Sequence, residues 1–279
     1  MYVEHLRLQR SFAFCRVWGS HEEHDLHVHD CLEIGVVINN ELEYRFNEHT
    51  YLGKPGDVFL CRPFEPHWSF AQPDQPFECI LLLFTPSAVR KIPDGIQLLK
   101  PFYTAQGIQP IIPSNTIFAR AIRQAAVSAM EDQEKEEDLW VTRQYMHLIN
   151  ILLQVNQFAK ESQSADNSEL PSSGIVEIVG YMLENYQKPI NIETLSWQAK
   201  MGRTMFFNEF RRLTGLSPNE FLNFLRLQSA MDLLRSTNKS IIDLAYASGF
   251  QSLSTFNKQF KRYTGRSPKE YRQMAYQIS

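Results

Sequence analysis

Residues 24–33 read HDLHVHDCLE, which sets His27, His29 and Glu33 at HxH-x3-E spacing; His67 closes the later stretch GDVFLCRPFEPH. On an extended strand His27 and His29 point to one face, and Glu33 joins them if no bulge intervenes. Three imidazoles and a carboxylate are a donor set for iron, manganese or zinc. Aimed into an apolar cavity, the same groups would hydrogen-bond a polar small molecule without any metal. Packed inward and satisfied, they would be structural only. The residues leave all three readings open. Arg45 and Trp68, with Arg16, Trp18 and Tyr44, could add hydrogen bonds and stacking for a polar ligand.

A second constellation lies in a repeat. Residues 206–221 read FFNEFRRLTGLSPNEF and residues 256–271 read FNKQFKRYTGRSPKEY, identical at eight of sixteen positions. Phe206, Phe210 and Leu213 fall at i, i+4, i+7, as do Phe256, Phe260 and Tyr263, so each copy has an apolar helix face for a small core. The opposite faces carry Arg203, Thr204, Phe207, Asn208 and Arg211 in the first copy. In the second they carry Leu253, Ser254, Asn257, Lys258 and Lys261, and Ser252 at the helix start joins them as a DNA-contact candidate. Hydrogen-bonding and cationic tips on a short helix suit the major groove of double-stranded DNA. A preceding helix and tight turn, NIETLSWQAKMG and IIDLAYASGFQS, make each copy a helix-turn-helix. Ser252 is placed to cap its reading helix and Gly202 stands at the equivalent position. Ser217-Pro218 and Ser267-Pro268 follow a Gly stop and restart a helix. The restart after Pro218 predicts about seventeen helical residues, roughly 25 Å, between the two copies.

The elements that hold these groups divide by charge. Residues 1–170 contain 14 Lys and Arg against 23 Asp and Glu, a net of -9, whereas residues 171–279 contain 14 against 8, a net of +6. A basic segment containing the repeat favours a polyanion partner. Runs such as EIGVVI, ELEYRF, DVFLC and ECILLLF, punctuated by Gly, Pro and Asn, predict an all-β barrel or sandwich over residues 12–85. Helical periodicity takes over from Ser114, and ESQSADNSELPSSG, residues 161–174, reads as a flexible linker. On the helix before it, Val141, Tyr145, Leu148, Leu152 and Val155 form an apolar stripe that packs either on the barrel or on a second subunit. Cys15, Cys31, Cys61 and Cys79 lack CxxC spacing and read as reduced packing residues. No signal peptide or membrane span is evident, which suggests a cytoplasmic protein.

The second repeat, IIDLAYASGFQSLSTFNKQFKRYTGRSPKEYR, resembles the tandem helix-turn-helix domain of the AraC family of bacterial transcription regulators over about residues 174–274. The first copy departs from it at Gly202 and Ser196. The run from about Val28 to Phe84 resembles a cupin barrel, the kind of sensor that such regulators carry, with Asn40 in place of the motif's Gly and Pro63-Phe64-Glu65 in place of P-x-G. The resemblance implies an α+β multidomain chain: a cupin-like ligand-sensing β-barrel with an N-terminal arm (1–110), a helical dimerisation segment (111–160), the linker (161–174) and an all-α tandem helix-turn-helix (175–279). It implies a sequence-specific, non-enzymatic regulator that responds to a sugar or related metabolite, acts as an activator, forms a homodimer, and contacts operator DNA and RNA polymerase. No cofactor is implied beyond a divalent metal at His27, His29, Glu33 and His67. The competing expectation is a metal-dependent cupin enzyme with an accessory DNA-binding domain.

Overall fold

A computed structural model of the chain describes residues 2–4, 10–19, 27–29, 31–46, 49–62, 67–71, 75–90, 92–104, 110–165 and 173–276. The chain divides into two compact units, Met1–Glu169 and Leu170–Ser279.

The first unit contains strands β1 (Tyr2–Glu4), β2 (Phe12–Gly19), β3 (His27–His29), β4 (Leu32–Asn39), β5 (Leu42–Phe46), β6 (His49–Gly53), β7 (Val58–Cys61), β8 (His67–Ala71), β9 (Phe77–Phe84) and β10 (Ile111–Ile112). They form two five-stranded sheets, ordered β1-β3-β8-β5-β6 and β10-β7-β4-β9-β2. Strand β5 alternates as its sequence does: Leu42, Tyr44 and Phe46 are buried while Glu43 and Arg45 are half-buried. Its inward side chains meet Val37, Phe59, Cys61 and Cys79 of the other sheet in one core, where the Tyr44 and Phe59 rings stack at 4.1 Å. Asn40, standing where the cupin motif has Gly, adopts a φ of +58° between β4 and β5, a left-handed conformation that Asn tolerates better than most side chains.

Among the described residues, four helices accompany the strands in this unit: α1 (Ser87–Arg90), α2 (Gly95–Thr104), α3 (Ile117–Lys135) and α4 (Trp140–Ala165). Thr116 caps α3 through the Ala119 amide, and the Gln144 side-chain amide of α4 donates to the Ala129 carbonyl of α3. Leu148, Leu152 and Val155 of the apolar stripe are fully buried, and the Tyr145 hydroxyl donates to the Ala88 carbonyl at 2.8 Å. That stripe packs within its own unit. The exposed apolar groups of α4 lie on the other face, at Met146 and Leu153. The helix also continues through Ala165, into the stretch whose composition suggested a flexible linker.

The second unit is helical: α5 (Ser173–Asn185), α6 (Ile192–Gln198), α7 (Arg203–Thr214), α8 (Pro218–Ser236), α9 (Ile241–Ala247), α10 (Leu253–Thr264) and α11 (Pro268–Tyr276). The restart after Ser217 occurs as the sequence predicts, and α8 runs for 19 residues, about 28 Å at 1.5 Å per residue. A reciprocal capping box opens it: Ser217 accepts from the Glu220 amide while the Glu220 carboxylate accepts from the Ser217 amide and hydroxyl. Those bonds hold the Glu220 carboxyl below its ordinary value. Ser267 and Glu270 repeat the arrangement before α11.

Candidate functional site

Helices α7 and α10 are built alike. Phe206, Phe210 and Leu213 are buried on one side of α7, and Phe256 and Phe260 on one side of α10. Burying them leaves the other faces outward. Arg203, Thr204, Asn208 and Arg211 are exposed on α7; Ser254, Asn257, Lys258 and Lys261 are exposed on α10. Phe207 and Leu253 are half-buried, Phe207 lying edge-on to Phe206 and beneath the Arg203 guanidinium. The two helix starts differ. Ser252 caps α10 by accepting from the Thr255 amide at 3.1 Å, which commits its hydroxyl to the helix. Gly202 opens α7 with no side-chain cap. Ser196, buried where the second copy has Ala245, satisfies its hydroxyl on the Glu193 carbonyl at 2.8 Å.

The candidate sensor residues separate into two sets. Glu33 and His67 are 4% and 2% exposed and point into the first unit, with His67 Nε2 3.7 Å from Glu33 Oε2. Arg45 and Trp68 pair in register on adjacent strands one position away from the inward residues Tyr44 and His67, with the guanidinium 4.6 Å from the indole centroid. They therefore occupy the opposite sheet face and do not converge with Glu33. Trp18 is exposed, and Arg16 pairs with Glu78. His27 stands in register with His67 across β3 and β8. The side chains of His27 and His29 lie outside the described residues.

Two groups join Glu33 that spacing did not single out together. The Tyr44 hydroxyl donates to Glu33 Oε1 at 2.8 Å, and the Cys61 thiol donates to the same oxygen at 3.6 Å. Cys61 is the register partner of Glu33 across β4 and β7; no motif spacing announces such a pairing. Burial first, and the Glu33 charge second, push the Tyr44 phenol and the Cys79 thiol up. Both groups therefore stay protonated around a buried carboxylate. Glu33, Cys61 and His67 also place one ligand-type atom each within 4.8 Å of one another. Oxygen, sulfur and nitrogen donors together suit a zinc-like ion, although Glu33 Oε1 already accepts from Tyr44.

Comparison with known proteins covers both units. A family model described as an AraC-like ligand binding domain matches residues 13–149, and one described as a helix-turn-helix domain matches residues 195–274. The chain belongs to the AraC family. It is therefore a DNA-binding transcription regulator with a ligand-binding domain. The HTH-type transcriptional activator RhaS of Escherichia coli O1:K1 is 26% identical over 263 residues, which cover 88% of this chain and 87% of the relative. RhaS of Pectobacterium carotovorum is 24% identical over 256 residues, covering 90% and 88%. Among solved structures, ToxT from Vibrio cholerae O395 aligns at a TM-score of 0.47 and 14% identity over 95% of this chain and 98% of its own.

The Glu33 cluster makes a stability prediction. Tyr44→Phe keeps the ring stack on Phe59 but removes a donor to a buried carboxylate, a loss of about 1–3 kcal/mol. Urea denaturation of the full chain should show the first unit destabilised by that order, and an unchanged midpoint would show that the bond contributes nothing.

Proposed function

We propose that this AraC-family regulator is a homodimeric activator that binds operator DNA through α7 and α10 and responds to a sugar or a related polyol held near Glu33. The observation that carries the reading is the pair of outward polar and cationic faces on two helix-turn-helix copies, in the half of the chain whose net charge is +6 while the other half carries -9. Short helices of this kind enter a major groove with their amino-terminal residues on base edges. Lys258 and Asn257 are assigned to base edges and Lys261 to phosphate, with Arg203, Thr204, Asn208 and Arg211 acting alike in the first copy. The name of the RhaS relatives supports activation, which implies contact with RNA polymerase. A DNA target places the protein in the cytoplasm; among the described residues no helix is long and apolar enough to cross a membrane. No catalytic step is part of this reading.

Lys258→Ala should relax base preference, at a cost of roughly 1–3 kcal/mol for a lost base contact, whereas Lys261→Ala should weaken binding to all sequences and flatten the salt dependence. Mobility-shift titrations on duplexes enriched by the wild-type chain, beside random duplexes, separate the two. Parental behaviour by both variants would displace α10 from the groove.

For the sensor, a buried carboxylate surrounded by protonated donors suits a ligand rich in hydroxyl groups. One member of a panel of sugars and sugar phosphates should raise the melting temperature of the full chain, and Glu33→Gln should abolish that rise while DNA binding by residues 170–279 is kept. The response should survive a chelator. The proximity of Glu33, Cys61 and His67 favours a second reading, a metal-dependent barrel; a response lost on chelation and restored by one divalent ion would establish it.

The dimer is assigned to the exposed face of α4. Met146→Glu with Leu153→Glu should yield a folded monomer by light scattering. Leu148→Glu, by contrast, puts a charge into the core of the first unit and should unfold it. A double variant that remains dimeric would move the interface elsewhere.

A further inference from the structure

The two helix-turn-helix copies differ in one structural respect that their sequences only hint at. In the first copy the turn between α6 and α7 is made by Lys200, with a φ of +54° and an exposed side chain. In the second it is made by Gly249, with a φ of +93°. Positive φ alone does not require glycine, since Lys200 manages it. Close approach does. A Cβ at residue 249 would lie 2.7 Å from the Gln187 Cα and 2.7 Å from the Tyr186 carbonyl oxygen. The turn of the second copy is therefore seated on the backbone that leads from α5 into the first copy.

The same backbone is gripped by the linking helix α8. Arg226, in the middle of α8 and 9% exposed, donates from Nε to the Tyr186 carbonyl at 2.8 Å and from Nη2 to the Lys188 carbonyl at 3.0 Å. Its Nε would be 3.0 Å from a Cβ at residue 249. Tyr186 is buried, and its hydroxyl pairs with the Ser229 hydroxyl of α8 at 3.1 Å. Three pieces of chain distant in sequence thus meet at one point: the lead-in to the first copy, the helix between the copies, and the turn of the second. The planar guanidinium fits the task because its donors have fixed directions and can hold two carbonyls at once. A lysine ammonium is a single point charge without that fork.

We propose that Arg226 is a positioning residue for DNA binding: by clamping residues 186–188 between α8 and the Gly249 turn, it fixes α7 relative to α10 and so sets the spacing between the two base-pair groups they read. This rests on the reading of α7 and α10 as the DNA-contacting helices. Arg226 is assigned no DNA contact, because it is buried and its Nε and Nη2 are turned inward onto the main chain. A residue that merely filled the core would change stability and affinity but leave the preferred spacing untouched.

The test uses the full chain and a library of random duplexes ~40 base pairs long, enough for several major-groove contacts along one face. Wild type, Arg226→Met and Arg226→Lys are each carried through enrichment, and the recovered sites are sequenced. Wild type should give two short motifs per protomer at one fixed spacing. Arg226→Met should give the same two motifs with the spacing spread over several values. It should also bind the wild-type site about tenfold more weakly, because the second contact loses part of its effective concentration. Arg226→Lys should fall between them. Retention of the single wild-type spacing by a folded Arg226→Met protein overturns the proposal, as does failure of both variants to fold, which would make the residue a core support only. If wild type itself enriches no motif, the DNA-contact reading fails with it; a wild-type motif with unaltered spacing in the variants sinks the positioning role alone.

Discussion

Neither helix-turn-helix copy can close its own core. Each contributes only a few apolar side chains, and a reading helix must keep its other face polar to meet DNA. Helix α8 resolves this by being buried on most of its circumference. Phe221 packs edge-on against Phe210 of α7 at 5.5 Å, while Phe224 lies 6.4 Å from the Tyr263 ring of α10. Leu227, Ala230, Met231 and Leu234 join Leu244, Phe250, Phe256 and Phe260 in the core of the second copy. Full burial of one such side chain contributes about 1.5–3 kcal/mol, so the shared helix supplies what neither short reading helix has alone. The outward projection of the polar residues on α7 and α10 follows from that burial.

A helix buried on most of its circumference must also settle its polar side chains. Ser229 meets Tyr186, and Arg226 finds main-chain carbonyls outside its own helix. Leaving a buried guanidinium without such partners would be costly. The polar groups of α8 thus bind it to the segment leading into the first copy, at the same level at which its apolar groups join the core of the second.

The first unit applies the same rule to a buried carboxyl group. Glu33 is buried among Tyr44, Cys61 and His67, with a phenol and a thiol donating to one of its oxygens. The aromatic stack of Tyr44 on Phe59 fixes the phenol that serves it. Here the core packing and the candidate sensor chemistry share one side chain, Tyr44.

Local pattern determined much of this protein. The Phe spacing in the repeat, the Ser-Pro restarts and the alternation along β5 appear in the structure because each depends on residues within about two helical turns or one strand. The helix-turn-helix pair and the outward faces of α7 and α10 were therefore legible before any coordinates. The stripe on α4 was legible as apolar, but its partner was not: burying Leu148 and Leu152 required knowing that α3 and the sheets lie beside them. The HxH-x3-E spacing named Glu33 and the stretch GDVFLCRPFEPH named His67, yet only strand register brought Cys61 opposite Glu33 and left Arg45 and Trp68 on the other sheet face. Gly249 lies in the tight turn that the stretch IIDLAYASGFQS predicted. That it abuts Gln187, beside the carbonyls held by Arg226, depends on contacts across some sixty residues of chain, and a sequence carries no local signal for where such distant backbones meet.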